Sequence, residues 1–114
     1  MVAHCEAEFR LAVIQKDGTS LRSQYESVQR QTGKIPKVLA EIPEMPPALV
    51  YLWNWFMELE AARGGNGYGI NPLSFAEIHA WTQLTRVQPV PWEIDAIKRI
   101  DAVRIRISNE KKDS

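Results

Sequence analysis

Apolar residues recur at helical spacing through most of the chain. The clearest stripe follows Pro47: Leu49, Leu52, Trp53, Phe56 and Leu59 fall at i, i+3, i+4, i+7 and i+10, which places them on one side of a helix. Proline in the first turn costs nothing, because its missing N–H would have no intrahelical partner there. Gly64-Gly65, just after Arg63, supplies the C-terminal stop. Ser74-Phe75-Ala76-Glu77 then reads as a capping box, in which Ser74 bonds forward to a backbone N–H and Glu77 reaches back. Ile78, Trp81 and Leu84 are expected to face the core from this helix. A turn over Thr85 to Val90 leads to Pro91, which opens a last helix lined by Ile94, Ile97, Ile100 and Val103. The tail after Ser108 is expected to fray.

The N-terminal part is punctuated just as clearly. A short helix over Glu6 to Lys16 would set Phe9, Ala12 and Val13 on one side and close at Asp17-Gly18. Thr19 or Ser20 caps a second helix carrying Leu21, Tyr25 and Val28, which stops at Thr32-Gly33. Pro36, Pro43, Pro46 and Pro47 then fix φ and remove backbone donors, so one helical turn, Pro36 to Ala40, is all that fits before a hinge or linker. Val103 to Ile107 alone alternates with period two, and it continues a helical pattern equally well. The expected fold is all-α, a small bundle of four to five short helices with the core formed by the last three. Residues 1–46 are then an N-terminal helical segment and Pro-rich linker, 47–108 the helical core and 109–114 a frayed tail, in a single domain overall.

Composition narrows the function by exclusion. Fourteen Lys and Arg balance fourteen Asp and Glu with no basic arm or acidic tail, so the clustered cationic charge that drives phosphate binding is missing and no nucleic-acid partner is expected. One cysteine, Cys5, and two separated histidines, His4 and His79, supply no usual zinc set and no internal disulfide. The start carries acids where a secretion signal needs bases. The longest uncharged apolar stretch, Met45 to Met57, has 13 residues and contains two prolines, against about 20 for a membrane span. A cytosolic protein with no membrane partner is expected.

Candidate chemistry is sparse. Gly64-Gly65-Asn66-Gly67-Tyr68-Gly69 suggests a phosphate loop, but the sixth position counted from Gly65 is Ile70, no strand precedes it and no Walker Gly-Lys-Ser follows. Gly64, Gly65 and Gly67 read instead as a helix terminator and a turn with positive φ. No nucleophile elbow or His-Glu-x-x-His pair occurs. His79 reads as a hydrogen-bonded surface histidine, Glu93 and Asp95 as first-turn acids that complement the helix dipole, and Asp101 as a surface ion-pair partner of neighbouring arginines. No cofactor, no metal and no catalytic residue is expected.

The tryptophans say more. Trp53, Trp81 and Trp92 lie on or beside core stripes and read as large apolar anchors. Trp55 differs: Tyr51, Trp55, Glu58 and Ala62 form a second row, roughly opposite the Leu52/Phe56 stripe. Such a row is either covered by the N-terminal region or presented to a partner, and the pattern leaves both open.

Trp53-Asn54-Trp55-Phe56, Ala62-Arg63-Gly64-Gly65-Asn66-Gly67, Glu77-Ile78-His79-Ala80-Trp81 and Pro91-Trp92-Glu93-Ile94, with Asp17-Gly18-Thr19-Ser20-Leu21-Arg22 and Gln31-Thr32-Gly33-Lys34-Ile35-Pro36 upstream, resemble small proteins encoded in the tail-morphogenesis region of long-tailed bacteriophages and prophages. These are tail assembly chaperones or chaperone-like proteins, and the likeness covers roughly residues 15 to 103. The resemblance implies a non-enzymatic factor in the host bacterial cytoplasm that holds the tape-measure protein, or tube subunits, soluble until they polymerise. Tyr51, Trp55 and Glu58, with Tyr68 from the glycine loop, are the expected partner-binding residues. Arg63 is expected to fix that loop by bonding carbonyls, and homo-oligomers are compatible with the pattern. The rival reading is a structural virion component, such as a tail-completion or connector subunit, with the same aromatic row buried between protomers.

Overall fold

The computed structural model of the protein describes residues 1–15, 17–63 and 71–112. Among these the elements are α1 (Val2–Leu11), α2 (Leu21–Thr32), α3 (Lys37–Ala40), a 3-10 turn (Pro47–Leu49), α4 (Val50–Ala62), α5 (Phe75–Thr85) and α6 (Pro91–Lys112). The bundle is all-α as expected. Its one β feature among the described residues is an isolated bridge between Ile14 and Ser20, and Val103 to Ile107 lies inside α6.

Local signals act where the sequence places them. Ser20 accepts from the Ser23 N–H at 3.1 Å, and Gly33 ends α2 in the left-handed region at φ 73°, a conformation that glycine adopts without strain. Ser74 and Glu77 close a full capping box on α5. The Pro47 helix begins as a 3-10 turn and becomes α-helical only at Val50. The first helix spans Val2–Leu11 rather than Glu6 to Lys16, because the chain turns back at Asp17-Gly18 through the Ile14–Ser20 bridge.

The three last helices build the core, with Leu52, Phe56 and Leu59 from α4, Ile78 and Trp81 from α5, and Ile97, Ile100, Val103 and Ile107 from α6. Helix α1 joins them: Cys5 and Phe9 are buried in the same cluster, and α1 lies along α6. Burial pushes the Cys5 thiol up to about 11, so it is an inert apolar side chain near neutrality. Residues 1–46 therefore contain both a core helix and an outlying one. Glu6 pairs with Arg106, and Arg10 donates to Glu110 at 3.3 Å. With α1 pairing against it on this side, α6 continues past Ser108 to Lys112. By contrast α2 has no buried residue and packs against α1 and α3.

Candidate functional site

Helix α4 positions the aromatic residues. Its core face carries Leu52, Phe56 and Leu59, all 3% exposed or less. Successive residues turn by about 100°, so the Tyr51/Trp55/Glu58/Ala62 row stands roughly 100° from that face, at its edge and not opposite it. An edge row is within reach of a neighbouring helix, and two of them meet it. Trp55 packs edge-on against Trp81 of α5, ring centres 5.7 Å apart, and against Tyr51 at 4.9 Å. The Tyr51 hydroxyl donates to Glu93 Oε2 of α6 at 2.6 Å. That bond, reinforced by desolvation and the carboxylate's charge, pushes the Tyr51 phenol up to about 12. The N-terminal region covers the other edge of α4 instead. Trp53 is flanked there by His4 at 5.4 Å and Phe9 at 5.3 Å, and His4 Nδ1–H donates to the Pro43 carbonyl at 2.7 Å.

Tyr51 and Trp55 are thus half-buried, while Glu58 and Ala62 of the same row remain exposed. Beside them a groove of about 230 Å³ runs between the C-terminal half of α4 and α5. Its floor is Leu59, Leu73 and Trp81, its sides Ala62 and Ala80, and its rim Leu84. Leu84 was expected in the core, yet it is 86% exposed. Steps of three residues rotate by about 60° each on a helix, so Leu84 stands about 120° around α5 from Ile78 and leaves the buried face. The Trp81 indole N–H is buried with no partner among the described residues. Among the described residues Glu77 is the only charged side chain in the groove lining, and the backbone N–H of Ser74 holds its carboxyl below the usual carboxylate range.

Two further expectations change. Trp92 is 54% exposed rather than an anchor. It sits in the first turn of α6 over a cleft of about 430 Å³, shared with Met1, Leu49, Leu52 and Ala96. Asp101, read as a surface residue, is 2% exposed. Its Oδ1 pairs with Arg63 and its Oδ2 accepts from the Leu73 N–H at 2.8 Å, while Arg63 also meets Glu60 at 2.9 Å and donates to the Asn71 carbonyl at 3.2 Å. This cluster fastens the start of α5 to α4 and α6, and so holds the groove floor in place. The one advance signal was Arg63 itself, a cation at the end of an apolar helix that a buried acid would have to neutralise. Glu93 keeps its expected place at the α6 start, where Oε1 accepts from the Val90 N–H at 2.8 Å. Gly64, Gly65, Gly67 and Tyr68 lie outside the described residues.

Among the described residues the site is an apolar trough with an acidic edge. The model of the phage tail assembly chaperone family matches residues 28–106. The chain belongs to that family. No curated protein and no solved structure matches it. The region matched to the tail assembly chaperones opens within α2 and closes near the end of α6, so it contains the groove, Trp55 and the Arg63–Asp101 pair. Helix α1, with His4 and Phe9, precedes it. A chaperone role in tail assembly follows from membership, and among the described residues no helix is long and apolar enough to cross a membrane.

Proposed function

We propose that this chaperone is a non-enzymatic holding factor that covers an apolar helical segment of a tail structural protein, the tape measure or a tube subunit, in the host cytoplasm until assembly. The observation that carries this reading is the α4/α5 groove, with a buried apolar floor and an exposed leucine at its rim. A helix laid there would bury Leu84 and reach Trp55 and Glu58 along the α4 edge, the helix-in-groove mode of recognition. Tyr51 contributes indirectly, since its bond to Glu93 braces the ring against which Trp55 rests. Two acids at the edge, Glu58 and Glu77, favour a client whose apolar stripe is flanked by Lys or Arg.

Burying one leucine side chain is worth about 1.5–3 kcal/mol, or roughly 10- to 100-fold in affinity. Tail proteins captured from infected cells by the tagged chain should therefore fall by at least tenfold with Leu84→Asp and clearly with Trp55→Ala. Equal recovery by parent and both variants removes the groove as the client site. Recovery of the chain in stoichiometric amount from purified mature virions would instead favour the tail-completion or connector reading, because a holding factor leaves before the tail is finished.

A further inference from the structure

The α2–α3 segment is another apolar surface left open, and its chemistry is the complement of the groove. Val28, Ile35 and Val38 are 46%, 60% and 47% exposed along it. Between Val28 and Ala40 the charged residues are Arg30, Lys34 and Lys37, all basic and all exposed, with Lys37 4.0 Å from the exposed Glu41 that follows α3. Glu77 lines the groove with Leu84, and Glu58 stands on the α4 row that leads from Trp55 to Ala62 of the lining; both acids are exposed. The segment also stands away from its own core. The radius of gyration is 15.8 Å, against about 13 Å for a compact chain of this length.

We propose that the basic, apolar α2–α3 arm of one copy docks in the acidic-edged α4/α5 groove of a second copy. Val28, Ile35 and Val38 supply the stripe that covers Leu84, and Arg30, Lys34 and Lys37 face Glu58 and Glu77. The contact joins two different surfaces, so each copy contributes an arm to one neighbour and a groove to another, or both to the same neighbour. Because the arm fills the groove in the way proposed for the client, self-association keeps the groove covered in the absence of tail protein, and a client displaces the arm. The inference rests on the groove reading for that last point, but the arm–groove contact stands without it.

Two exposed-site variants of the full chain test the contact, Val38→Asp in the arm and Leu84→Asp in the groove. Neither site is part of the core, so both should keep the parent's helical circular dichroism. Sedimentation equilibrium should show the parent associating with rising concentration and each variant remaining a monomer. An equimolar mixture of the two variants should recover a two-chain species, since one retains a working groove and the other a working arm. A parent that stays monomeric throughout, an arm variant that associates like the parent, or a mixture that stays monomeric overturns the inference. If the parent is monomeric while Leu84→Asp still loses tail-protein capture, the client reading survives alone. Lost self-association with undiminished capture has the opposite meaning.

Discussion

Helices α2 and α6 both show an apolar stripe at helical spacing, but they end in different environments. In α6, Ile97, Ile100, Val103 and Ile107 are 7% exposed or less, pressed against α1 and α4. In α2, Leu21, Tyr25 and Val28 include no buried residue. The second helix is instead well provided with local signals: a serine N-cap, a left-handed glycine and Arg30 in its last turn. Helix α4 is the reverse, with no side-chain cap bond at its start and three residues sunk in the core. Capping thus sustains the arm and packing sustains the core, which gives one molecule two kinds of helix with different responses to mutation.

The largest effects should fall in the core and should be global. Phe56→Ala removes a fully buried ring that touches Phe9 and Trp53 and should cost about 3–5 kcal/mol in urea unfolding, with the whole helical signal moving together. Asp101→Ala leaves buried Arg63 with Glu60 alone as its charge partner and frees the Leu73 N–H, which should cost about 3 kcal/mol. A loss below about 1 kcal/mol in either would mean that the core is not the cooperative unit described here. Amide exchange should separate the two regions directly, with α6 protected up to the global stability and α2 opening well below it. Equal protection in both would remove the distinction.

How much of this the sequence reveals depends on the range of the interaction. Caps and stops are short-range, so Ser20, Gly33, the Ser74–Glu77 box and Pro91 are all visible in a few consecutive residues. The exposure of Leu84 and Trp92 is not, because a stripe shows which residues share a face and says nothing about how far the opposing helix extends. Asp101 is hidden for a related reason: its partners, Arg63 and Leu73, are distant in sequence and meet only once α4, α5 and α6 are in place. The Tyr51/Trp55 row was recognisable as a second aromatic face. Which helix covers it is a tertiary fact, and α5 and α6 cover it where α1 does not.

An intermediate effect should come from the capping box, where a local signal supports a core helix. Ser74→Ala should cost about 1 kcal/mol. Glu77 adds a pH signature. Its carboxyl is held below its ordinary value, first by the Ser74 backbone N–H, so the ionised form favours the folded state. That share of stability is complete above the unfolded-state carboxylate pKa and is lost as pH falls through the lower folded-state value. Unfolding followed between pH 6 and the acid range should therefore show a smaller acid-side loss for Glu77→Gln than for the parent. Identical slopes would mean that the box does not order the carboxylate in solution.

The smallest expected effect is the most informative about the arm. Val28→Ser changes a 46% exposed side chain on a helix that has no buried residue, and in a dilute monomer it should shift stability by less than about 0.5 kcal/mol. A loss of 2 kcal/mol at low concentration would show that Val28 is covered within its own chain, and would place α2 with the core. At high concentration the same substitution should lower the apparent stability of the associated form relative to the parent, since whatever covers Val28 stabilises the folded state by mass action. Concentration dependence in the parent together with its weakening in the variant would distinguish a helix kept open for another chain from one that is merely exposed.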